Sequence, residues 1–284
     1  MARLNLTILS CLSIVLLSGC RGSLATLESS VIFQPVCYPE GNWRPAGLQH
    51  EDAWFASADG TRLHGWYVPH EQPRATVLYC HGNGGNVAYW ADAAMLLHDR
   101  VGVSVMLFDY RGYGRSEGKP SEAGVLADAR AARAWLAQRA GIAENQIVLM
   151  GRSLGGGVAV DLAAADGARA LVLESTFTSI PDVGQTMYPL LPMRLLMQTQ
   201  FNSARKIANY HGPLLQSHGT ADRVIPYSIA CRLFDAANQP KQFVPIPGGD
   251  HNDPQTEEYY QPEFCLRKSD LARWGAKKYP LHWF

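Results

Sequence analysis

The stretch QIVLMGRSLGGGVAVDLAAAD, Gln146–Asp166, changes character at Ser153. An aliphatic run rich in β-formers precedes this serine; glycines and alanines at helical spacing follow it. A strand that turns abruptly into a helix lifts the side chain at the corner clear of both elements. Gly151-Arg152-Ser153-Leu154-Gly155 matches G-x-S-x-G, in which the serine takes that corner in a strained conformation. The glycines on either side lack a Cβ, so strand and helix can approach without collision. The hydroxyl then sits at a helix N-terminus, whose dipole favours developing negative charge.

Other runs repeat the pattern on both sides. ATVLYCHG (75–82), VSVMLFDYRG (103–112), ARALVLEST (168–176), PLLQSHG (213–219) and KQFVPIPGG (241–249) are apolar and end in turn residues. Such near-continuous runs suit strands covered on both faces of a parallel sheet. Helical patterns lie between them: VAYWADAAMLLHDR, SEAGVLADARAARAWLAQRAG with Ser121 as N-cap and Gly141 as stop, LGGGVAVDLAAAD, and SIACRLFDAANQ before the last strand. EDAWFASADG and TRLHGWYVPH read as a hairpin around Asp59-Gly60. The alternation predicts an α/β domain over residues 51–284, built on a doubly wound, mostly parallel sheet, with residues 20–50 as a lead-in. Ligands of such sheets gather at the carboxyl ends of the strands. Residues from about 177 to 209 interrupt the rhythm with three prolines among Leu, Met and Tyr. They read as a short cap whose apolar face receives a substrate chain, as a helical excursion that packs its leucines and methionines on the core, or as both at once.

Serine at neutral pH is a poor nucleophile and needs a base, itself oriented by an acid. Of nine histidines, His251 in IPGGDHND directly follows the last predicted strand, where a base belongs. Asp222, in the loop of HGTADRVIP, is the candidate acid. Asp250 and Asp253 are too close to His251 in sequence to be obvious partners, and Glu174 is the reserve. The attack creates an oxyanion that needs preorganised donors. The glycine-rich turn His81-Gly82-Asn83-Gly84-Gly85-Asn86 after the first parallel strand offers the N–H of Asn83, and the corner itself offers that of Leu154. The turn lacks both G-x-G-x-x-G and the Walker lysine, which argues against a nucleotide site.

CHGNGGN, FDYRGYGRSEGKPSEAG, GRSLGGG, HGTADRVIP and PGGDHND together resemble the α/β-hydrolase superfamily over roughly residues 50–280. More narrowly, they resemble its compact branch, which includes eukaryotic protein depalmitoylases and serine-aminopeptidase-like bacterial enzymes. The resemblance implies a serine hydrolase acting on acyl esters or thioesters, with Ser153, Asp222 and His251 in that superfamily's chain order. It implies no metal or organic cofactor; Asp109, Arg111 and Tyr113 belong to the motif too, and read as fixing the strand end and loop rather than as reacting groups. A peptidase on the same fold and a non-catalytic scaffold lipoprotein are the competing readings.

The N-terminus is of another kind. After Arg3 the run LNLTILSCLSIVLL leads to Ser18-Gly19-Cys20. It is shorter than the roughly 18–20 residues that span a bilayer and fits the central region of a secretory signal over residues 1–19. LLSGC resembles the lipobox of bacterial lipoproteins, which implies that Cys20 becomes the acylated first residue of an envelope protein held in the membrane. An ordinary cleaved signal or an uncleaved anchor is the alternative. Arg21 after the cysteine, by that family's sorting rules, favours the outer membrane in a Gram-negative cell. Twenty-five Lys and Arg balance 25 Asp and Glu without a basic stripe, so nucleic acid is not an expected partner. Five cysteines lie beyond residue 19, none in C-x-x-C spacing, which argues against a zinc site. If Cys20 is acylated, the other four admit three complete pairings and the spacing selects none.

Overall fold

The computed structural model describes residues 28–253 and 255; the signal segment, Cys20 and Cys265 lie outside the described residues. Among the described residues eight strands form one sheet: β1 (Glu51–Ala56), β2 (Arg62–Val68), β3 (Thr76–Cys80), β4 (Ser104–Phe108), β5 (Val148–Arg152), β6 (Ala170–Glu174), β7 (Leu214–Gly219) and β8 (Lys241–Ile246). Their spatial order is β8-β7-β6-β5-β3-β4-β2-β1. Only β2 runs against its neighbours, pairing antiparallel with β1 (Trp54 opposite His64) and with β4 (Trp66 opposite Leu107). The chain builds outward from β3 to β4 and then returns to lay β5 on the other side of β3. That reversal opens a crevice at the carboxyl ends of β3 and β5.

The apolar runs are continuous because both faces are covered. Leu78, Met106, Leu149 and Leu171 face one core, and Val77, Val105, Val148 and Val172 face the other. Successive side chains of a strand point to opposite faces, so each run feeds both cores. The first core takes Val125 and Ala129 of α2 (Glu122–Ala140), Val158 and Leu162 of α3 (Leu154–Asp166), and Ile229 and Leu233 of α7 (Tyr227–Ala236). The second takes Ala91 and Ala94 of α1 (Ala91–Leu96). Ser121 caps α2 by accepting from the Gly124 N–H at 3.2 Å, and Gly141 ends it in the left-handed region at φ 66°. The helix expected over 87–100 is broken instead: a 3-10 turn (Val87–Tyr89), α1, and a wide turn (Leu97–Val101) that stops at Gly102, φ 76°.

The lead-in does not stand apart from the domain. Phe33 is buried in the first core, and Gln34–Pro35 pairs in parallel with Gly84–Gly85. The segment after β6 folds into α4 (Ile180–Met187), α5 (Met193–Leu196) and α6 (Ser203–Ile207). Among the described residues Cys37, Cys80 and Cys231 form no disulfide with one another. Among the described residues no helix is long and apolar enough to cross a membrane.

Candidate active site

Ser153 occupies the corner between β5 and α3 at φ 52°, ψ −118°. A non-glycine residue held there stores on the order of 1–3 kcal/mol of strain, so its surroundings must fix it. They do so through the main chain. The Ser153 N–H donates to the Glu174 carbonyl at 2.9 Å, and its own carbonyl accepts from the Gly156 N–H at 3.0 Å and the Thr176 hydroxyl at 2.8 Å. A Cβ on Gly151 would lie 2.3 Å from the Gly155 carbonyl oxygen, and one on Gly155 would lie 1.9 Å from that of Cys80. The motif's glycines are therefore required by backbone contact.

Asp222 and His251 come from neighbouring loops, after β7 and β8, that are joined to each other. Thr220 N–H donates to Ile246 O at 2.9 Å and Ala221 N–H to Gly249 O at 3.0 Å. Across that junction His251 Nδ1 lies 2.8 Å from Asp222 Oδ2, and its Nε2 lies 3.1 Å from Ser153 Oγ. A carboxylate only accepts, so Nδ1 carries the proton and Nε2 turns its lone pair toward the hydroxyl. Asp222 is buried, which by itself pushes its carboxyl upward. Hydrogen bonds from His218, His251 and the Ile225 N–H outweigh that effect and hold it well below the usual carboxylate range. It is charged at neutral pH.

Asn83 and Leu154 both line the same cavity as Ser153 and His251. Among the described residues neither N–H donates a hydrogen bond, so both remain available to an incoming oxygen. Asn83 is fixed through its carbonyl, which accepts from the Tyr113 hydroxyl at 2.8 Å and the Gln34 N–H at 3.0 Å. Asp109 Oδ1 accepts from the Val87 N–H at 2.8 Å, and Arg111 grips Asp128, so these residues hold the loops rather than face the serine. The reserve acid Glu174 lies instead near Arg152, 3.9 Å from its guanidinium. Asp250 pairs with Arg223, and its Oδ1 accepts from the His251 N–H at 2.8 Å.

Two residues of the site escaped sequence reasoning. Arg152, the variable residue before the serine, donates from Nη2 to the carbonyls of His251 at 2.9 Å and Asp253 at 3.2 Å, tying the corner to the histidine loop. His218, fully buried, places Nε2 2.8 Å from Ile225 O and 3.2 Å from Asp222 Oδ2. Both neighbours accept, so Nε2 carries a proton and Asp222 receives a second imidazole. The pattern H-G-x-x-D four residues apart is the only signal that could have found it.

The cavity beside the serine has a volume of about 660 Å³ and is mostly apolar, with Trp90, Phe177, Ile180, Met187, Met193 and Met197 on its walls. The segment after β6 thus contributes its methionines to the cavity. Its leucines do not pack on the core: Leu190 and Leu195 are 96% and 86% exposed. Among the described residues no cluster of three or more His, Cys, Asp or Glu has the arrangement of a metal site.

A family model described as serine aminopeptidase, S33, matches residues 71–203. An uncharacterized protein of Mycobacterium tuberculosis is 45% identical over 213 residues, covering 74% of each chain. The α/β-hydrolase domain-containing protein WAV2 of Arabidopsis thaliana is 33% identical over 289 aligned positions, covering 88% of this chain and 93% of its own. Among solved structures, the esterase Pf2001 of Pyrococcus furiosus superposes with a TM-score of 0.65 at 20% identity, covering 86% of this chain and 97% of that one. The switch-point crevice, the serine on a strained strand–helix corner and these relatives agree, and the chain is a hydrolase belonging to the α/β-hydrolase superfamily.

Proposed function

We propose that the protein is a serine hydrolase that cleaves acyl esters or thioesters through an acyl-enzyme, with Ser153 as nucleophile, His251 as base and acid, and Asp222 orienting the imidazole. The observation that carries this reading is the unbroken relay from Asp222 Oδ2 through His251 to Ser153 Oγ, 2.8 and 3.1 Å, on the wall of an apolar cavity. Ser153 Oγ attacks the acyl carbonyl carbon as its proton passes to His251 Nε2. The carbonyl oxygen becomes an oxyanion held by the N–H groups of Asn83 and Leu154, each worth about 3–4 kcal/mol in a site of this kind. The tetrahedral species collapses, and the alcohol or thiol leaves with the proton from Nε2. Water then attacks the acyl-serine by the same route, releasing the acid and restoring the hydroxyl.

The name of the matching family model favours a peptidase. A free α-amine needs a carboxylate to hold it, and none of the described residues lining the cavity is Asp or Glu. Esters and thioesters with apolar acyl groups suit those walls better. A fluorophosphonate probe is expected to label the wild type and not Ser153→Ala; equal labelling of both overturns the nucleophile assignment. A series of esters of rising chain length, run against aminoacyl amides, separates esterase from peptidase. We also propose that Cys20 is acylated and holds the protein in a bacterial envelope membrane. Cys20→Ser is expected to release it, and unchanged mass and membrane retention would refute the anchor.

A further inference from the structure

The segment TMYPLLPMRLLM, residues 186–197, contains a single charged residue. That residue, Arg194, is already paired with Asp182 at 2.7 and 2.9 Å, so this stretch presents no free charge. Eleven large apolar side chains are exposed among the described residues, and six of them (Met187, Tyr188, Leu190, Leu191, Leu195, Leu196) fall in this stretch. Val31, Tyr89 and Val224, also exposed, line the cavity that the stretch overhangs. The exposed apolar surface is thus concentrated around one opening, a concentration that marks an interaction site.

The chain outside the described residues indicates what covers it. Glu28, the first described residue, is bound to the end of this segment: its carboxylate accepts from the N–H groups of Gln198 at 3.0 Å and Thr199 at 2.6 Å. The uncharged run Leu4–Leu17 and Cys20 precede it, and Cys20 stands eight residues before Glu28. An extended chain covers at most about 3.5 Å per residue, so a membrane attachment at Cys20 would lie within about 28 Å of Glu28, which is bound to the end of this segment. An attachment through the apolar run itself would lie only a few residues further away. A tether of that length keeps the face at high effective concentration against the same bilayer.

We propose that the face formed by Met187, Tyr188, Leu190, Leu191, Leu195 and Leu196 docks on the lipid bilayer to which the N-terminal segment tethers the protein. The cavity then opens onto the lipid surface and takes acyl groups from molecules resident in it. The substrate clause rests on the serine-hydrolase reading, and the docking surface rests on the membrane-attachment reading of the N-terminal segment. Docking driven by apolar area and not by charge is insensitive to ionic strength.

The test uses the full chain in neutral phosphatidylcholine vesicles containing a phosphatidylcholine with a diazirine in its acyl chain. Photo-adducts are expected within residues 187–196, at low and high salt alike. In the double variant Leu190→Ser/Leu195→Ser, whose side chains do not line the cavity, those adducts are expected to fall at least about tenfold. Hydrolysis of a long-chain ester embedded in the vesicles should fall by a similar factor in that variant, with a short soluble ester unaffected. Adducts confined to residues 1–27 overturn the proposal, as does a vesicle-bound wild type with no lipid adduct at 187–196. An equal fall on both esters also overturns it. Lipid adducts at 187–196 in a wild type that hydrolyses neither ester would uphold the surface while removing the hydrolase reading.

Discussion

In an Asp222→Asn protein the side chain keeps its shape but exchanges one acceptor oxygen for a donor NH2. The backbone sets which atom turns where. Asp222 Oδ1 accepts from the N–H groups of Val224 at 2.9 Å and Ile225 at 2.7 Å, so the amide oxygen stays there and the NH2 replaces Oδ2. There it faces His251 Nδ1 and His218 Nε2. Two donors repel, so His251 must move its proton to Nε2 to present a lone pair at Nδ1. Nε2–H then points at Ser153 Oγ and cannot take up the hydroxyl proton. A wrong tautomer of this kind costs on the order of 10⁴-fold in kcat. That corresponds to about 5.5 kcal/mol of barrier. The assay is turnover of a short soluble ester, with circular dichroism and a thermal melt to establish that the variant is folded. A folded Asp222→Asn protein retaining more than about a tenth of wild-type kcat would refute the tautomer argument.

Other outcomes follow from contacts elsewhere in the site. Arg152→Ala removes both bonds to the histidine loop, and kcat is expected to fall roughly 10- to 100-fold with partial recovery in Arg152→Lys. Steady-state kinetics on the short ester read this; a change in KM alone would contradict it. Gly155→Ala, whose Cβ would collide with the Cys80 carbonyl, should cost more than about 3 kcal/mol, whereas Gly84→Ala meets nothing within 4 Å and should stay within about 0.5 kcal/mol in denaturant unfolding. The Asp250 carboxyl is lowered from 3.8 to about 2, chiefly by the Arg223 side chain. Its folded value lies below its unfolded one, so its contribution is present above pH 3.8 and is lost as pH falls toward 2. Arg223→Gln is expected to move the midpoint of acid unfolding, read by circular dichroism, upward.

The strands were legible because each apolar run serves two covered faces and stops at residues that cannot continue it. The corner at Ser153 was legible because a close backbone approach admits only glycine, and the candidate acid and base because they follow the last two strands. What the sequence concealed has no periodicity. Arg152 reaches carbonyls 99 and 101 residues away, and such side-chain-to-backbone bonds leave no spacing to read. The lead-in is polar overall, yet Phe33 enters the core and Gln34 steadies Asn83 through its N–H. The region from 177 to 209 was ambiguous because leucines and methionines suit a core, a cavity wall or an exposed face equally, and only tertiary placement separates them.

His251 follows β8, which among the described residues is one of the two edge strands of the sheet and has Val244 as its one buried side chain. Pro245, lacking an N–H, is tolerated on such a border strand. Borders of a sheet open before its interior. Warming should therefore silence the enzyme through detachment of β8 while β3, β5 and the serine corner stay intact, so heat inactivation would precede the main calorimetric transition. Engineers seeking a hardier variant would gain more by pinning that border than by repacking the interior.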